Sequence, residues 1–494
     1  MESDARQEDD VAVLTEAFHA RRRGDYQGAI ERFRKVFERD PSNPWPLIES
    51  AKVEFMRTDF LAMRDYLRQA EVLAGEDAEV WLAMASAWMD CLDPEESLRT
   101  AELGARAEVA DPRFLTARLL ALERLNRIRE AAAVVDAAGE LPPGNRVAAA
   151  RVLRRADRAE EARLLVAGDH SAAALMERAR VLDHMGKHRL AVESLAEAKR
   201  KLAAHPESEY ERKLAPLHRP QQQRELGFAT AEQIVRWREE RTDAPLRLAF
   251  LLGHPRSGTT LLESLIERRG GAAIASEFPV LEGRLRLWVA DLATRDTSIS
   301  PLLKSENLPR LRAAYWNQIH HLAGAQEGQL VIDKNPGLTD GVQWVAKIFP
   351  EAKILTALRD PRDVIVSCVF QDFGFTRLGV ACLSWEGAAK SWAATMNHWA
   401  DIRERLPAGQ WLEVRYEELV MNPDGVMQDV LGFLGLAALS EETKTDRLIR
   451  TPSYPEAANA VHSRAVARWK DYERWLKPLR PIIEPVMRRL GYEW

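Results

Sequence analysis

The stretch from 246 to 268 constrains the fold of this chain most, and it reads LRLAFLLGHPRSGTTLLESLIER. Its apolar beginning has the length and composition of a strand that is buried on both faces. The chain then turns at Gly253, passes Gly258, and enters an amphipathic helix at Thr259 or Thr260. A strand, a glycine-containing loop and a helix N-terminus form an anion site, because free backbone N–H groups and the positive end of the helix dipole point at one place.

This loop has the glycine spacing of a P-loop, G-x-x-x-x-G, but it lacks the lysine. Thr259 and Thr260 stand where the P-loop has its lysine and hydroxyl residue. The fixed positive charge lies upstream at Arg256, whose planar fork suits phosphate or sulfate oxygens. We predict that Arg256, Ser257, Gly258 and the two threonines bind a nucleotide phosphate without the usual γ-phosphate and Mg²⁺ apparatus. The alternative is a tight strand-to-helix turn with a surface arginine.

Length and composition set the class of protein. A chain of 494 residues predicts two or more domains, and the charged fraction of 29% is typical of soluble globular proteins. The net charge of −5 argues against general nucleic-acid binding. Three cysteines without metal-ligand spacing predict a reducing compartment and no metal site. The acidic N-terminus and the shortness of the apolar runs predict a cytoplasmic protein without a membrane span.

The first two hundred residues show helical periodicity and a repeat of about 34 residues, the period of tetratricopeptide (TPR) repeats. Repeat frames begin near positions 10, 44, 78 and 112, and shorter frames begin near 143 and 172. Small residues such as Ala29, Ala101 and Ala191 recur where the two helices of a hairpin must approach closely. We predict an α-helical TPR solenoid over 10–205, whose concave surface binds another chain. The alternative is an irregular helical bundle.

The repeat period is lost between 206 and 244, where prolines at 206, 216 and 220 predict a linker or capping helices, with one helix near 231–241. The remaining residues, 245–494, contain three further strand-like runs at 330–332, 353–358 and 411–414. With the first strand they predict an α/β P-loop-like domain with a mostly parallel sheet. Functional residues of such sheets concentrate at the carboxyl ends of the strands.

Two charged residues, Glu277 and Lys334, are candidates for catalysis in this domain. Glu277 is a candidate general base for an acceptor hydroxyl, or else a charge that complements a helix N-terminus. Lys334 follows the second strand and could neutralise charge that develops on an oxygen, or else be a solvated loop lysine.

Two further segments follow strands. Arg359 opens the sequence RDPRD, and Ser367 lies on the helix that follows it. The alternative for this segment is a salt-bridged helix start. Tyr416 lies in RYEEL after the fourth strand, and it could equally be a core aromatic.

Several of these motifs resemble one family, the sulfotransferases that use 3′-phosphoadenylyl sulfate (PAPS). PRSGTTLL resembles their 5′-phosphosulfate-binding loop, RDPRD…S their 3′-phosphate site, and RYEEL an element close to the adenine. The resemblance implies that Arg359 and Ser367 bind the 3′-phosphate, that Tyr416 lies near the adenine, and that Lys334 acts on the leaving group. Glu277 stands where the tyrosylprotein sulfotransferases, which this region resembles, carry their catalytic glutamate.

The stretch 451–470 resembles the nucleotide-covering C-terminal loop of bacterial TPR-linked sulfotransferases. By this resemblance Ser453, Arg464 and Trp469 contact the nucleotide.

These resemblances imply a PAPS-dependent sulfotransferase that moves a sulfuryl group to an acceptor hydroxyl without a metal. The acceptor is left open among a protein tyrosine, a glycan, a lipid and a small phenol. The repeat array is expected to dock an extended acceptor or a protein partner, and the oligomeric state is open. The competing hypotheses are a P-loop-type kinase or NTPase, and a TPR scaffold whose second half is catalytically inactive.

Overall fold

The computed structural model describes residues 2–22, 24–90, 93–107, 111–213, 227, 229–241, 243–281, 307–439 and 466–494. The chain divides into two compact units. Met1–Val166 and Pro279–Thr297 form the first unit, and Ala167–Phe278 and Ser298–Trp494 form the second. The domain bounds 10–205, 206–244 and 245–494 stay predictions.

The described part of the first unit contains five helical hairpins in succession. Their helices are α1 (Glu2–Arg22), α2 (Tyr26–Arg39), α3 (Trp45–Met56), α4 (Phe60–Leu73), α5 (Ala78–Asp90), α6 (Pro94–Ala107), α7 (Arg113–Arg124), α8 (Ile128–Ala137), α9 (Arg146–Arg155) and α10 (Ala159–Leu165). A 3-10 turn, Pro143–Asn145, precedes α9. The two helices of each hairpin pack on each other, and the second helix of each of the first four hairpins also packs on the first helix of the next. The first helices begin close to the predicted frames, except that α1 begins earlier than position 10.

The turns between hairpin helices explain why some repeats are hard to see in the sequence. Gly24 and Gly186, at two of these turns, have positive φ angles of 81° and 72°. The same left-handed position is occupied by Thr58, Asn126 and Asp157 in other hairpins, with φ angles of 60°, 56° and 59°. Asn and Asp tolerate this conformation because their short side chains can hydrogen-bond locally. The backbone shape is therefore retained where the glycine landmark is lost.

The second unit begins with one more hairpin, α11 (Ala172–His184) and α12 (His188–Ala203), followed by α13 (Ala231–Glu239). The predicted linker prolines at 216 and 220 lie outside the described residues. The sheet follows, with strands β1 (Leu248–Gly253), β2 (Ala273–Ser276), β3 (Val331–Lys334), β4 (Lys353–Leu358) and β5 (Trp411–Arg415).

The sheet has the strand order β2-β3-β1-β4-β5, and all of its neighbouring strands are parallel. Its flanking helices are α14 (Thr259–Gly270), α15 (Leu308–Leu322), α16 (Val342–Ile348), α17 (Pro361–Val369), α18 (Arg377–Ala381), α19 (Trp385–Arg403), α20 (Tyr416–Met421), α21 (Pro423–Leu434), α22 (Glu473–Leu476) and α23 (Arg480–Arg489). Short 3-10 helices lie at Pro336–Gly341, Arg468–Tyr472 and Lys477–Leu479. The predicted fold class is confirmed: a helical repeat region precedes an α/β domain with a parallel sheet.

Strand β1 lies at the centre of this sheet and is buried along its whole length. Its side chains pack with those of α14 and of the neighbouring strands, as Leu251, Leu262, Ile332 and Leu355 show. Because all strands run the same way, the loops that follow β1, β3 and β4 leave the sheet at the same edge. This edge carries the residues that the sequence singles out.

Strand β2 is a strand that the sequence analysis missed. Its four residues, AIAS, come almost directly after α14 and are too few to show a periodic pattern. It pairs with β3 in a register that sets Ser276 opposite Lys334. Glu277, the next residue, is thereby placed beside the end of β3.

Candidate active site

Two glycines shape the loop between β1 and α14. Gly253 has a φ of 134°, and a Cβ on it would come within 2.5 Å of the Ala357 carbonyl oxygen. Gly258 has a φ of 93°, and a Cβ there would lie 2.4 Å from a ring carbon of Tyr416. The Thr339 hydroxyl fixes the end of β1, since it accepts from the Gly253 N–H and donates to the Gly253 carbonyl, both at 2.9 Å. The loop can therefore take this shape only with glycine at both positions.

The loop ends at the start of α14, where Gly258 is the N-cap and has no side chain to cap the helix. Ser257, Thr259 and Thr260 are all buried around this point. The first-turn N–H groups of a twelve-residue helix and its positive dipole end meet here. Four of the five predicted loop residues, from Ser257 to Thr260, thus lie together in an arrangement that can hold a phosphate group.

Arg256 links the loop to the neighbouring strand end. Its Nε donates to the Ser367 Oγ on α17 at 2.8 Å, and its carbonyl accepts from Arg359 Nη1 at 3.1 Å. The Arg359 guanidinium carbon lies 4.7 Å from the centre of the Tyr416 ring. The structure therefore brings Arg256, Ser367, Arg359 and Tyr416 into one cluster, although the sequence separates them widely. Two guanidinium groups in one partly buried cluster favour a bound anion.

The start of α17 shows that the salt-bridged alternative for RDPRD holds as well, but with a different arginine. Arg362 pairs with Asp360 at 2.6 Å, and the Asp360 carboxylate also accepts from the Arg362 N–H at 2.9 Å. Arg359 instead extends to the carbonyl of Arg256. The two arginines of the motif thus have different contacts: Arg362 stabilises the start of α17, and Arg359 contacts the loop between β1 and α14.

Lys334 and Glu277 form a close ion pair at the ends of β3 and β2. The Lys334 Nζ lies 2.6 Å from Glu277 Oε1, and the Glu277 N–H donates to the Lys334 carbonyl at 2.7 Å. The lysine side chain has no exposed surface, whereas the glutamate side chain is 30% exposed. Glu277 also has a φ of 57°, a conformation that is unfavourable for a non-glycine residue. The carboxylate is therefore the member of the pair that an acceptor could reach.

Glu263 is a member of this site that the sequence analysis missed. Its Oε2 lies 3.4 Å from Lys334 Nζ and accepts from the Ser276 hydroxyl at 3.2 Å. The side chain is nearly buried, so it supplies a second negative charge to the buried lysine. The sequence contains a signal for this position, because Glu263 follows Thr260 by three residues and therefore lies on the same face of α14.

The C-terminal segment reaches the site through Asp363, which the sequence analysis also left without a role. This carboxylate accepts from the N–H groups of Ala467 at 2.8 Å and Trp469 at 2.7 Å. Burial raises the pKa of Asp363 to about 6, against the opposing effects of the Arg359 charge and these N–H groups. The Trp469 ring covers the Arg362 guanidinium, whose carbon lies 3.7 Å from the ring centre. The predicted residues Ser453 and Arg464 lie outside the described residues.

A second contact fixes the end of β4 to α20. Glu417 accepts from the Asp360 N–H at 2.8 Å and from the Tyr492 hydroxyl at 3.0 Å. Burial and the Glu417 charge raise the pKa of Tyr492, so the phenol stays a donor. Asp360 follows Arg359 and Glu417 follows Tyr416, so the bond between them fixes the position of Arg359 relative to Tyr416.

The part of the chain that the structure describes contains neither a cluster of metal ligands nor a helix suited to cross a membrane. No group of three His, Cys, Asp or Glu side chains among them could hold a metal ion. None of the described helices combines the length and the apolar character that a membrane crossing requires.

Comparisons with known proteins show similarity in the second half of the chain. Residues 249–441 match the model of the sulfotransferase family, so the chain carries a sulfotransferase-family domain. An uncharacterized protein of Aquifex aeolicus (strain VF5) is 29% identical over 286 residues, which span 55% of this chain and 37% of that protein. The chain thus spans well under half the length of this relative.

Proteins similar to this domain include a protein-tyrosine sulfotransferase and a solved sulfotransferase domain. Protein-tyrosine sulfotransferase 1 of Danio rerio is 24% identical over 274 residues, covering 50% of this chain and 72% of that protein. The solved sulfotransferase domain of the Synechococcus PCC 7002 olefin synthase is 20% identical, covers 52% of this chain and 99% of its own, and has a TM-score of 0.36. The domain is distantly related to the tyrosylprotein sulfotransferases, and its acceptor is not established by this relationship.

Proposed function

We propose that this protein transfers a sulfuryl group from PAPS to an acceptor hydroxyl. One observation carries the proposal: an anion-binding loop and a buried lysine–carboxylate pair lie at the same edge of one parallel sheet. The loop and Arg256 are suited to the 5′-phosphosulfate, and Arg359 and Ser367 to the 3′-phosphate. The residues fit such a group, because the first turn of α14 supplies N–H groups beside the buried hydroxyls of Ser257, Thr259 and Thr260, and two guanidinium groups lie close by. When bound, PAPS supplies an activated sulfuryl group.

In this proposal Glu277 is the general base. Its partly exposed carboxylate takes the proton of the acceptor hydroxyl, and its position at the end of β2 orients that hydroxyl toward the loop. Lys334 neutralises negative charge that develops at the strand ends. When Glu277 turns to the acceptor, Glu263 remains as a counter-charge 3.4 Å from the lysine, so the buried ammonium is never left unpaired.

The acceptor belongs to this proposal as well. The relationship to protein-tyrosine sulfotransferases supports a tyrosine hydroxyl, and the helical repeats support an extended protein acceptor. A concave row of hairpins contacts an extended chain along its length, which raises the local concentration of the acceptor hydroxyl.

The test is transfer of radiolabelled sulfate from PAPS to tyrosine-containing peptides, glycans, lipids and small phenols, without added metal. We expect label on at least one acceptor class, with tyrosine peptides preferred. Label on a small phenol with the same kcat/KM as on any peptide would reject the extended-acceptor part alone. Absence of transfer to every class, together with Mg²⁺-dependent ATP turnover, would replace the proposal by the kinase hypothesis.

A further inference from the structure

The hairpin α11–α12 contacts the C-terminal end of α17, the helix that carries Ser367. Arg180 Nε donates to the Phe370 carbonyl at 3.1 Å, and Lys199 Nζ donates to the Gln371 carbonyl at 3.3 Å. Phe370 is the C-cap of α17. Carbonyl groups at a helix end have no partner within the helix and carry partial negative charge. Two cations from the hairpin therefore stabilise the end of this helix.

The same hairpin holds the segment 467–472, which consists of the 3-10 helix Arg468–Tyr472 and its N-cap Ala467. Asp183, on α11, accepts from Arg468 Nη2 at 2.6 Å and from the Tyr472 hydroxyl. His188 Nδ1 lies 3.4 Å from the Asp183 carboxylate and 3.2 Å from the same hydroxyl. Tyr472 is fully buried, and burial together with Asp183 raises its pKa, so it remains a hydrogen-bond donor. Asp183 thus holds the segment by accepting hydrogen bonds from two of its side chains.

This segment supplies the two N–H groups that donate hydrogen bonds to the Asp363 carboxylate. Ala467 lies at the start of the segment, with a φ of 60°, and Trp469 lies within it. Asp363 is only 2% exposed, so its carboxylate needs donors or a cation. The positive charge of Arg359, four residues away along the chain, lowers the pKa of Asp363 and so opposes the effect of burial.

We infer that Asp183 is a positioning residue for the nucleotide site. The last hairpin of the repeat region holds residues 467–472 against α17, so that the N–H groups of Ala467 and Trp469 satisfy Asp363. Arg359 then keeps its contact with the Arg256 carbonyl of the phosphate loop instead of turning to Asp363. This inference rests on the proposed function. By this inference the repeat region contributes to binding of the nucleotide that donates the sulfuryl group, in addition to any contribution to binding of the acceptor substrate.

The test is calorimetry on the full-length Asp183→Asn variant with 3′-phosphoadenosine 5′-phosphate. We expect the Kd to rise about tenfold, the effect of weakening one charge-assisted contact. The Kd for adenosine 5′-phosphosulfate, which has no 3′-phosphate, should change by less than about twofold. Glu193→Gln is the matched control, because this exposed carboxylate on α12 pairs only loosely with Arg189, at 3.7 Å. It should leave both Kd values unchanged.

Rescue and coupling separate positioning from general destabilisation. Asp183→Glu keeps a carboxylate and should recover most of the affinity. Arg468→Gln removes the other half of the contact and serves as the test if Asp183→Asn does not fold. The double variant should be no weaker than the worse single variant, because both changes break the same bond.

Three results would overturn the inference. The first is an unchanged Kd in a folded Asp183→Asn protein, and the second is equal weakening of both nucleotides. The third is a wild-type protein that does not bind 3′-phosphoadenosine 5′-phosphate at all. The third result also rejects the proposed function, whereas the first two leave it standing.

Discussion

At the scale of single residues, the site depends on how a buried lysine is neutralised. Lys334 has no exposed surface and lies 2.6 Å from Glu277 and 3.4 Å from Glu263. The two carboxylates differ in access, because the Glu277 side chain is 30% exposed and that of Glu263 only 8%. The exposed carboxylate is suited to meet an acceptor, and the buried one is suited to keep the lysine in place.

This difference gives the two glutamates different expected effects on turnover. Glu277→Gln should lower kcat on the order of 10²-fold or more and leave nucleotide Kd nearly unchanged, because it removes a general base outside the nucleotide cluster. Glu263→Gln is the comparison: it keeps the base and should lower kcat much less. Steady-state kinetics with calorimetry measures both. Near-normal turnover of Glu277→Gln would mean that Glu277 is not the general base and serves only as the ion-pair partner of Lys334.

His254 gives the loop a pH dependence of stability. It is almost fully buried, and burial lowers its pKa to about 4 from 6.5, while a hydrogen bond to the Pro255 carbonyl opposes this. Between these values the unfolded chain binds the proton and the folded chain does not, so the free energy of unfolding falls as the pH decreases. The loss should reach about 3 kcal/mol between pH 6.5 and 4.

Denaturant unfolding of wild type and His254→Gln across this range checks the effect. The variant should show a smaller decrease, since glutamine does not titrate. Parallel curves for the two proteins would mean that His254 does not cause the pH dependence.

At the scale of elements, the loop between β1 and α14 is held by contacts at both ends. Thr339 fixes Gly253, and the Tyr416 ring packs where a side chain at position 258 would lie. The loop is thus shaped by α20 and by the 3-10 helix Pro336–Gly341 as well as by its own sequence.

Gly258→Ala should therefore weaken nucleotide binding more than it destabilises the domain. The added methyl group would lie 2.4 Å from the Tyr416 ring at a φ of 93°, so both the ring and the helix start must move. We expect the Kd to rise by at least about tenfold. Gly432→Ala on α21 is the control, because nothing lies within 4 Å of a Cβ there. Equal Kd values for the two variants would contradict this account of the loop.

Much of this edge of the sheet could be predicted from sequence because local patterns determine it. The buried strand, the two glycines and the helix start lie within one stretch, and Lys334 and Arg359 follow strands. Glu263 and Asp363 were missed because their roles depend on partners far along the chain, a strand of four residues and a C-terminal segment. Arg256 was predicted, but its bond to Ser367 joins two motifs 111 residues apart.

At the scale of the whole molecule, the compact units do not follow the repeats. The hairpin α11–α12 continues the repeat pattern in sequence, yet it belongs to the same unit as the sheet. A boundary drawn where the periodicity ends would remove Asp183 and the two cations that meet the end of α17.

Truncation checks this division. A fragment of residues 167–494 should bind 3′-phosphoadenosine 5′-phosphate with nearly the Kd of the full chain. A fragment that begins at Arg236 lacks the hairpin and should bind at least about tenfold more weakly or fail to fold. Calorimetry and thermal unfolding of both fragments decide between these outcomes. Equally tight binding by the shorter fragment would show that the hairpin is dispensable.

The central claim is that the site binds a 3′-phosphorylated adenine nucleotide without a metal, and calorimetry on the full chain tests it most directly. We expect tight binding of 3′-phosphoadenosine 5′-phosphate in the absence of Mg²⁺, because the proposed function assigns Arg359 and Ser367 to the 3′-phosphate. ATP, which lacks that phosphate, should bind at least about tenfold more weakly with or without Mg²⁺. Mg²⁺-dependent ATP binding as the tighter event would contradict the claim.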